Sequence, residues 1–173
     1  MPLDDSICIN NSITLNPSIS LGTPSYLYSW TPTNSLSNSN IINPNANPST
    51  TTTYMLNVVD SNGCEDLDSV VVTVPPALTT YSSVVDILCF GDSTGSIDIT
   101  VIGGTAPYSY QWTGPSSYSS SDSDIVNLYA GTYTVIVRDN NNCTDILIVT
   151  LSEPNPLEAI ITYNDLVCYN DNS

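Results

Sequence analysis

The sequence predicts an all-β protein: tandem immunoglobulin-like β-sandwiches followed by the opening strand of a third repeat. Three observations predict it. Apolar residues alternate with Ser, Thr and Asn over short stretches, the period of a half-buried strand. Turn residues break these stretches every 8–12 positions, as in a sandwich. And the chain repeats itself: Tyr54, Leu56, Val58, Asp60 and Cys64 recur as Tyr133, Val135, Val137, Asp139 and Cys143, each pair 79 positions apart, as 54 is from 133. Leu78 and Cys89 recur at the same offset as Leu157 and Cys168, whereas Trp30 and Trp112 lie 82 apart, so a short indel separates the Trp strand from the Tyr strand. The resulting units are residues 1–75, 76–155 and 156–173.

In the first unit, residues 6–15 read as two short strands broken by Asn10-Asn11. After the Gly22-Thr23-Pro24 turn comes Tyr26-Leu27-Tyr28-Ser29-Trp30, whose aromatics at every second position share one face. A Trp on such a strand plugs the space between two sheets, which makes Tyr26, Tyr28 and Trp30 core residues. The alternative is a surface platform for sugar rings. Residues 34–47 form a loop rich in Asn, Ser and Pro, with Ile41-Ile42 as its expected anchor. Residues 51–60 form a strand with Tyr54, Leu56 and Val58 inward. Asp60-Ser61-Asn62-Gly63 signals a hairpin, because Asn-Gly tolerates positive φ. Residues 67–74 close the unit, and Pro75-Pro76-Ala77-Leu78 is a short, semi-rigid linker.

The second unit opens with a strand over residues 79–89 and a turn at Gly91-Asp92-Ser93-Thr94-Gly95. Residues 96–102 alternate, with Ile97, Ile99 and Val101 inward. The aromatic strand returns as Tyr108-Ser109-Tyr110-Gln111-Trp112 after Gly104-Thr105-Ala106-Pro107, adding Tyr108, Tyr110 and Trp112 to the expected core. A polar loop at 118–124 leads to a short strand at 125–128. Ala130-Gly131 then turns the chain into a strand with Tyr133, Val135 and Val137 inward, and Tyr133 is placed for a tyrosine-corner contact. An all-polar turn, 139–142, replaces Asn-Gly, and residues 146–151 close the unit. The third unit starts at Leu157.

Composition excludes several functions. With one Lys or Arg against 17 Asp and Glu, and a net charge of −16, the chain repels nucleic acid and anionic membranes. No apolar run is long enough to insert into a membrane. Met1-Pro2-Leu3-Asp4-Asp5 lacks the basic start and apolar core of a signal peptide. Because the cysteine pattern nonetheless reads as extracellular, the expectation is a piece of a longer exported chain.

The five cysteines occupy corresponding points: Cys8, Cys89 and Cys168 in opening segments, Cys64 and Cys143 after hairpin turns. The simplest pairing is Cys8–Cys64 and Cys89–Cys143, stabilising each small unit by roughly 4 kcal/mol in the chain-entropy model. Buried free thiols are the alternative. Cys168 is then unpaired within the chain, with its partner expected near position 222. Metal binding through cysteine is disfavoured, since no C-x-x-C pair and no His is present.

Absence of His also removes nucleophile–His catalysis and His-ligated metals. Asp122 and Asp124 form a carboxylate pair, but in a Ser-rich loop with nothing to raise a pKa. Asp122, Asp124 and Asp139 are the oxygen ligands a Ca²⁺ would use, without a complete calcium-loop pattern, and turn capping accounts for most such residues. No catalytic residue and no cofactor is expected, Ca²⁺ being the one candidate.

The segments Cys89-Phe90-Gly91-Asp92-Ser93-Thr94-Gly95-Ser96-Ile97, Gly103 to Trp112, Leu128 to Val135 and Asp139 to Cys143 closely resemble the SprB repeat of giant surface adhesins of gliding Bacteroidetes. The first unit resembles related PKD-like or Ig-like repeats through Trp30-Thr31-Pro32, Thr51-Thr52-Thr53-Tyr54 and Asp60-Ser61-Asn62-Gly63-Cys64. Asn142 departs from the pattern, standing where Gly is usual before Cys143; Asn170 likewise stands where Gly91 does in the second unit. The resemblance implies an extracellular, cell-surface array exported by the type IX route, acting in adhesion or gliding motility, as the ligand-bearing part or as the stalk or filament that carries it. Asp5-Ser6-Ile7, Asp68-Ser69-Val70 and Asp92-Ser93-Thr94 are similar to the O-glycosylation pattern of exported Bacteroidetes proteins, making Ser6, Ser69 and Ser93 candidate acceptors. Expected partners are neighbouring repeats and surface polysaccharide. Two other functions compete: a carbohydrate-binding module using Tyr118 and Tyr129, and an accessory region of a secreted enzyme.

Overall fold

The computed structural model describes residues 5–162. Apart from a three-residue 3₁₀ turn at Pro115–Ser117, its regular structure is all strand. Tandem immunoglobulin-like sandwiches result, each around its own core.

The first unit contains β1 (Asp5–Ser6), β2 (Ile13–Thr14), β3 (Leu27–Thr31), β4 (Asn45–Ala46), β5 (Thr52–Val59) and β6 (Glu65–Thr73). One sheet runs β1-β6-β5-β3, and β2 pairs with β4 opposite it. β1 lies parallel to the end of β6, Asp5 facing Val72 and Ser6 facing Thr73. The core is Trp30, Tyr54, Leu56, Val70 and Val72 from the large sheet, closed by Ile7, Leu15, Ala46 and Val74. The long loop is anchored differently from expectation. Ile41 is exposed, and Pro44, Ala46 and Pro48 are the buried residues. Ile41 contributes its carbonyl instead, which accepts the Trp30 indole N–H at 3.0 Å. A buried indole requires such a partner, and a backbone oxygen supplies it without another polar side chain.

The second unit contains β7 (Thr79–Val85), β8 (Gly95–Ile102), β9 (Ser109–Thr113), β10 (Ser119–Ser120), β11 (Ile125–Leu128), β12 (Gly131–Arg138) and β13 (Thr144–Leu151). Sheets β10-β9-β12-β13 and β11-β8-β7 enclose Ile87, Ile97, Trp112, Ile125, Leu128, Tyr133, Val135, Val137, Val149 and Leu151. The opening strand ends at Val85, short of the expected Cys89. Ile87 then tucks inward, its N–H donating to Ser152 O at 3.0 Å.

Of the aromatics expected in the core, Trp30, Trp112, Tyr54 and Tyr133 are fully buried. Tyr28, Tyr108 and Tyr110 are half-buried and pack on the core's flank. Tyr26 lies outside the core beside a cavity of about 440 Å³, because β3 begins only at Leu27. Tyr133 makes the tyrosine-corner bond, its hydroxyl donating to Tyr129 O at 3.0 Å; Tyr54 bonds the Ser35 hydroxyl instead. Residues 152–162 carry no strand, and Leu157, Ile160 and Ile161 are almost fully exposed. Cys168, and most of the expected third unit, lie outside the described residues.

Candidate functional site: the joint between the two units

In each unit one aspartate ties the last hairpin to the turn before the aromatic strand. Asp139 Oδ1 accepts the N–H groups of Asn141 (2.9 Å) and Cys143 (2.8 Å), while Oδ2 accepts Thr105 N–H (2.8 Å). Asp60 does the same with Asn62 (2.9 Å), Cys64 (2.9 Å) and Thr23 (3.0 Å). The loops meet again where Asn141 Nδ2 donates to Thr105 Oγ1 and Asn62 Nδ2 to Thr23 Oγ1, each at 2.9 Å. Backbone N–H donation from Thr23 is the largest influence on Asp60 and, with that from Cys64, holds its carboxyl below the usual Asp range. Asp139 is 4% exposed, which suits a carboxylate whose charge is satisfied by N–H donors. Asn142 takes φ +63°, matching Gly63 at φ +82°. Asn visits this left-handed region more readily than other side-chain-bearing residues, so the turn survives the loss of Gly.

This rigid corner of the second unit is also where the first unit attaches. The linker carbonyl of Pro76 accepts the Gly104 N–H at 2.9 Å. Gly103 lies so close beneath the linker that a Cβ there would run into the Ala77 carbonyl oxygen. On the other side of the linker, Asn141 Nδ2 donates to Ser6 Oγ of β1 at 2.9 Å. Cys8 and Cys143 close the joint with a disulfide, their Cα atoms 5.5 Å apart.

The bridge corrects the expected pairing of Cys8 with Cys64 and of Cys89 with Cys143. Cys64 precedes β6, whereas Ile7 bonds Thr73 O at its far end, so Cys8 and Cys64 sit at opposite ends of the strand. Nine residues of strand span about 30 Å, and Cα atoms beyond about 7 Å cannot be bridged. β13 separates Cys143 from Cys89 in the same way, since Ile87 bonds Ser152 O beyond the strand's end. Cys64 and Cys89 are free and exposed.

Other expected site residues are not brought together. Asp122 accepts Ser120 Oγ, and its carbonyl accepts the Trp112 indole N–H. Asp124 accepts Ile99 N–H at 2.7 Å and Ser123 Oγ. Among the described residues no three His, Cys, Asp or Glu side chains group as metal ligands. Tyr118 stacks edge-on against Tyr133, ring centroids 5.4 Å apart, while Tyr129 is exposed. Ser6 and Ser69 lie exposed on β1 and β6, and Ser93 is half-buried. What sequence reasoning missed is the pair of staple aspartates. Their signal was present: Asp60 and Asp139 recur at 79 positions, and Thr23 and Thr105 at the same 82 as the Trp residues.

Residues 81–117, from within β7 to the 3₁₀ turn after β9, match the family model of the SprB repeat. Over that stretch the chain is similar to the SprB repeat. The comparison with curated proteins finds no match. Solved structures similar in fold include the C-terminal 282-residue fragment of intimin in complex with the translocated intimin receptor intimin-binding domain, at TM-score 0.54 and 15% identity, covering 81% of this chain and 56% of that one. The three titin Ig domains I67–I69, in an E-to-A mutated variant, give TM-score 0.50 and 13% identity, over 88% of this chain and 63% of theirs. At such identities the likeness establishes the immunoglobulin-like fold and nothing further. The chain spans only a little over half the length of these structures.

Proposed function

We propose that the chain is a structural repeat segment of an exported cell-surface adhesin or extracellular filament, serving surface adhesion or gliding motility after type IX export. The observation that carries this reading is the joint. A module whose outermost corner is braced by a buried aspartate, seated on its neighbour's linker and tied by a disulfide is built to transmit force along a string of modules. The disulfide supports an oxidising, extracellular setting. The similarity to the SprB repeat at residues 81–117 supports the adhesin context. Neighbouring repeats are the partners this arrangement favours.

Catalysis has little support in the site. The carboxylates of Asp122 and Asp124 are held by loop hydroxyls and an N–H, as turn-capping groups are. Sugar stacking is also weakly supported, because Tyr118 packs against Tyr133 and only Tyr129 of that pair of candidates faces solvent.

The test is location and redox state in cells of the source organism. Intact cells probed with an antibody against the second unit, before and after protease shaving, are expected to show surface label with Cys8 and Cys143 oxidised. Label confined to the cytoplasm, with all cysteines reduced, overturns the reading.

A further inference from the structure

Cys8 and Cys143 show how one module is fastened to the next. Cys8 lies at the end where the first unit's chain exits, beside the end of β6; Cys143 follows the second unit's last hairpin. Each of these positions has a counterpart in the other unit. Cys89 follows Ile87, whose N–H bonds Ser152 O beyond β13 as Ile7 N–H bonds Thr73 O. The turn after each cysteine is also shared: Asn11 N–H donates to Cys8 O at 3.0 Å, and Asp92 N–H to Cys89 O at 3.1 Å. Cys64 likewise has the Asp60 staple that Cys143 has from Asp139. Both counterparts are exposed thiols. Neither can reach the other within the chain: Cys64 stands at the end of the first unit remote from the joint, and Cys89 at the remote end of the second.

We propose that Cys64 and Cys89 are the two halves of a head-to-tail disulfide joining this chain to a second molecule of the same module type, copying the Cys8–Cys143 joint. The inference rests on the surface-repeat reading and extends it: the exit-end cysteine of each module bonds the hairpin cysteine of the next. Asn62 occupies the place from which Asn141 reaches Ser6, so the second half-site presents the same donor beside its thiol. Leu21 stands where Gly103 receives the linker, with its side chain in solvent. A separate molecule has no linker to thread through that seat, so the sulfurs can meet without it. Formation of the bond is a two-electron oxidation. With a disulfide oxidant such as oxidised glutathione, one thiolate displaces a glutathione thiolate to give a mixed disulfide. The second protein thiolate then displaces the other glutathione, leaving one protein disulfide and two glutathione thiols.

The experiment mixes two variants of the full chain, both carrying Cys168→Ser. One also carries Cys64→Ser and so offers only Cys89; the other carries Cys89→Ser and offers only Cys64. Circular dichroism first confirms that both remain folded. In a glutathione redox buffer, non-reducing electrophoresis and peptide mapping are expected to show the Cys64–Cys89 heterodimer in several-fold excess over the two homodimers combined. Heterodimer at or below the statistical one-half, or glutathione adducts alone, overturns the proposal and leaves the surface-repeat reading standing. A cytoplasmic, fully reduced chain in cells overturns that reading whatever the mixing yields.

Discussion

Asp139 takes a charge into the protein interior, a costly step unless the charge is fully hydrogen-bonded. Three backbone N–H donors from two loops meet that need, which makes the residue a brace rather than a ligand. Asp139→Ala strands those donors in a buried corner, and a loss of about 3 kcal/mol in the second unit's stability is expected, read by urea unfolding followed through Trp112. Asp60 makes the same bonds nearer solvent and adds a pH dependence. Its folded carboxyl titrates below the unfolded one, so its contribution is complete above the ordinary Asp range and fades as pH falls through the lowered value. The stability gap between the native chain and Asp60→Asn is therefore expected near neutral pH and should close in acid; a gap that widens on acidification contradicts the assignment. The repeated Asp was legible in the sequence, but its role was not. A recurring Asp beside a turn reads as a turn cap, with a calcium ligand as the lesser alternative, until the second loop, 34 residues away, is placed against it.

At the scale of elements, the strands were legible because they obey a period of two: β5, β8, β9 and β12 fall within a residue or two of their expected places. Elements without a period were not. The Asn- and Pro-rich loop hides Pro44, Ala46 and Pro48 and exposes Ile41, with Ala46 joining the core around Trp30, so hydrophobicity alone does not decide placement. The β12–β13 turn holds Asn142 at positive φ. Asn142→Gly relieves that conformation and is expected to stabilise the second unit by roughly 0.5–1 kcal/mol, read as a raised urea midpoint with unchanged slope. Gly103 lies under the linker, and a side chain there pushes the linker off. Gly103→Ala should leave both cores folded by near-ultraviolet dichroism, yet speed hydrogen exchange at Gly104, whose N–H bonds Pro76.

The described residues form two small sandwiches sharing one disulfide joint. Closing a loop of 135 residues corresponds to about 5 kcal/mol of unfolded-chain entropy in the usual model, and here it restricts one unit against the other as well as each against unfolding. Sequence equivalence alone suggested a bridge inside each unit, because corresponding cysteines are easily read as partners. The topology decides otherwise: a strand of eight or nine residues stands between the two cysteines of the first unit and of the second, and it is the second unit's hairpin that brings Cys143 within reach of Cys8. The joint is the central claim, and non-reducing peptide mapping of the folded chain tests it most directly. The result expected is a single peptide pair linking Cys8 to Cys143, with Cys64 and Cys89 recovered as thiols from monomer; recovery of Cys8 bonded to Cys64, or of Cys89 bonded to Cys143, would contradict it.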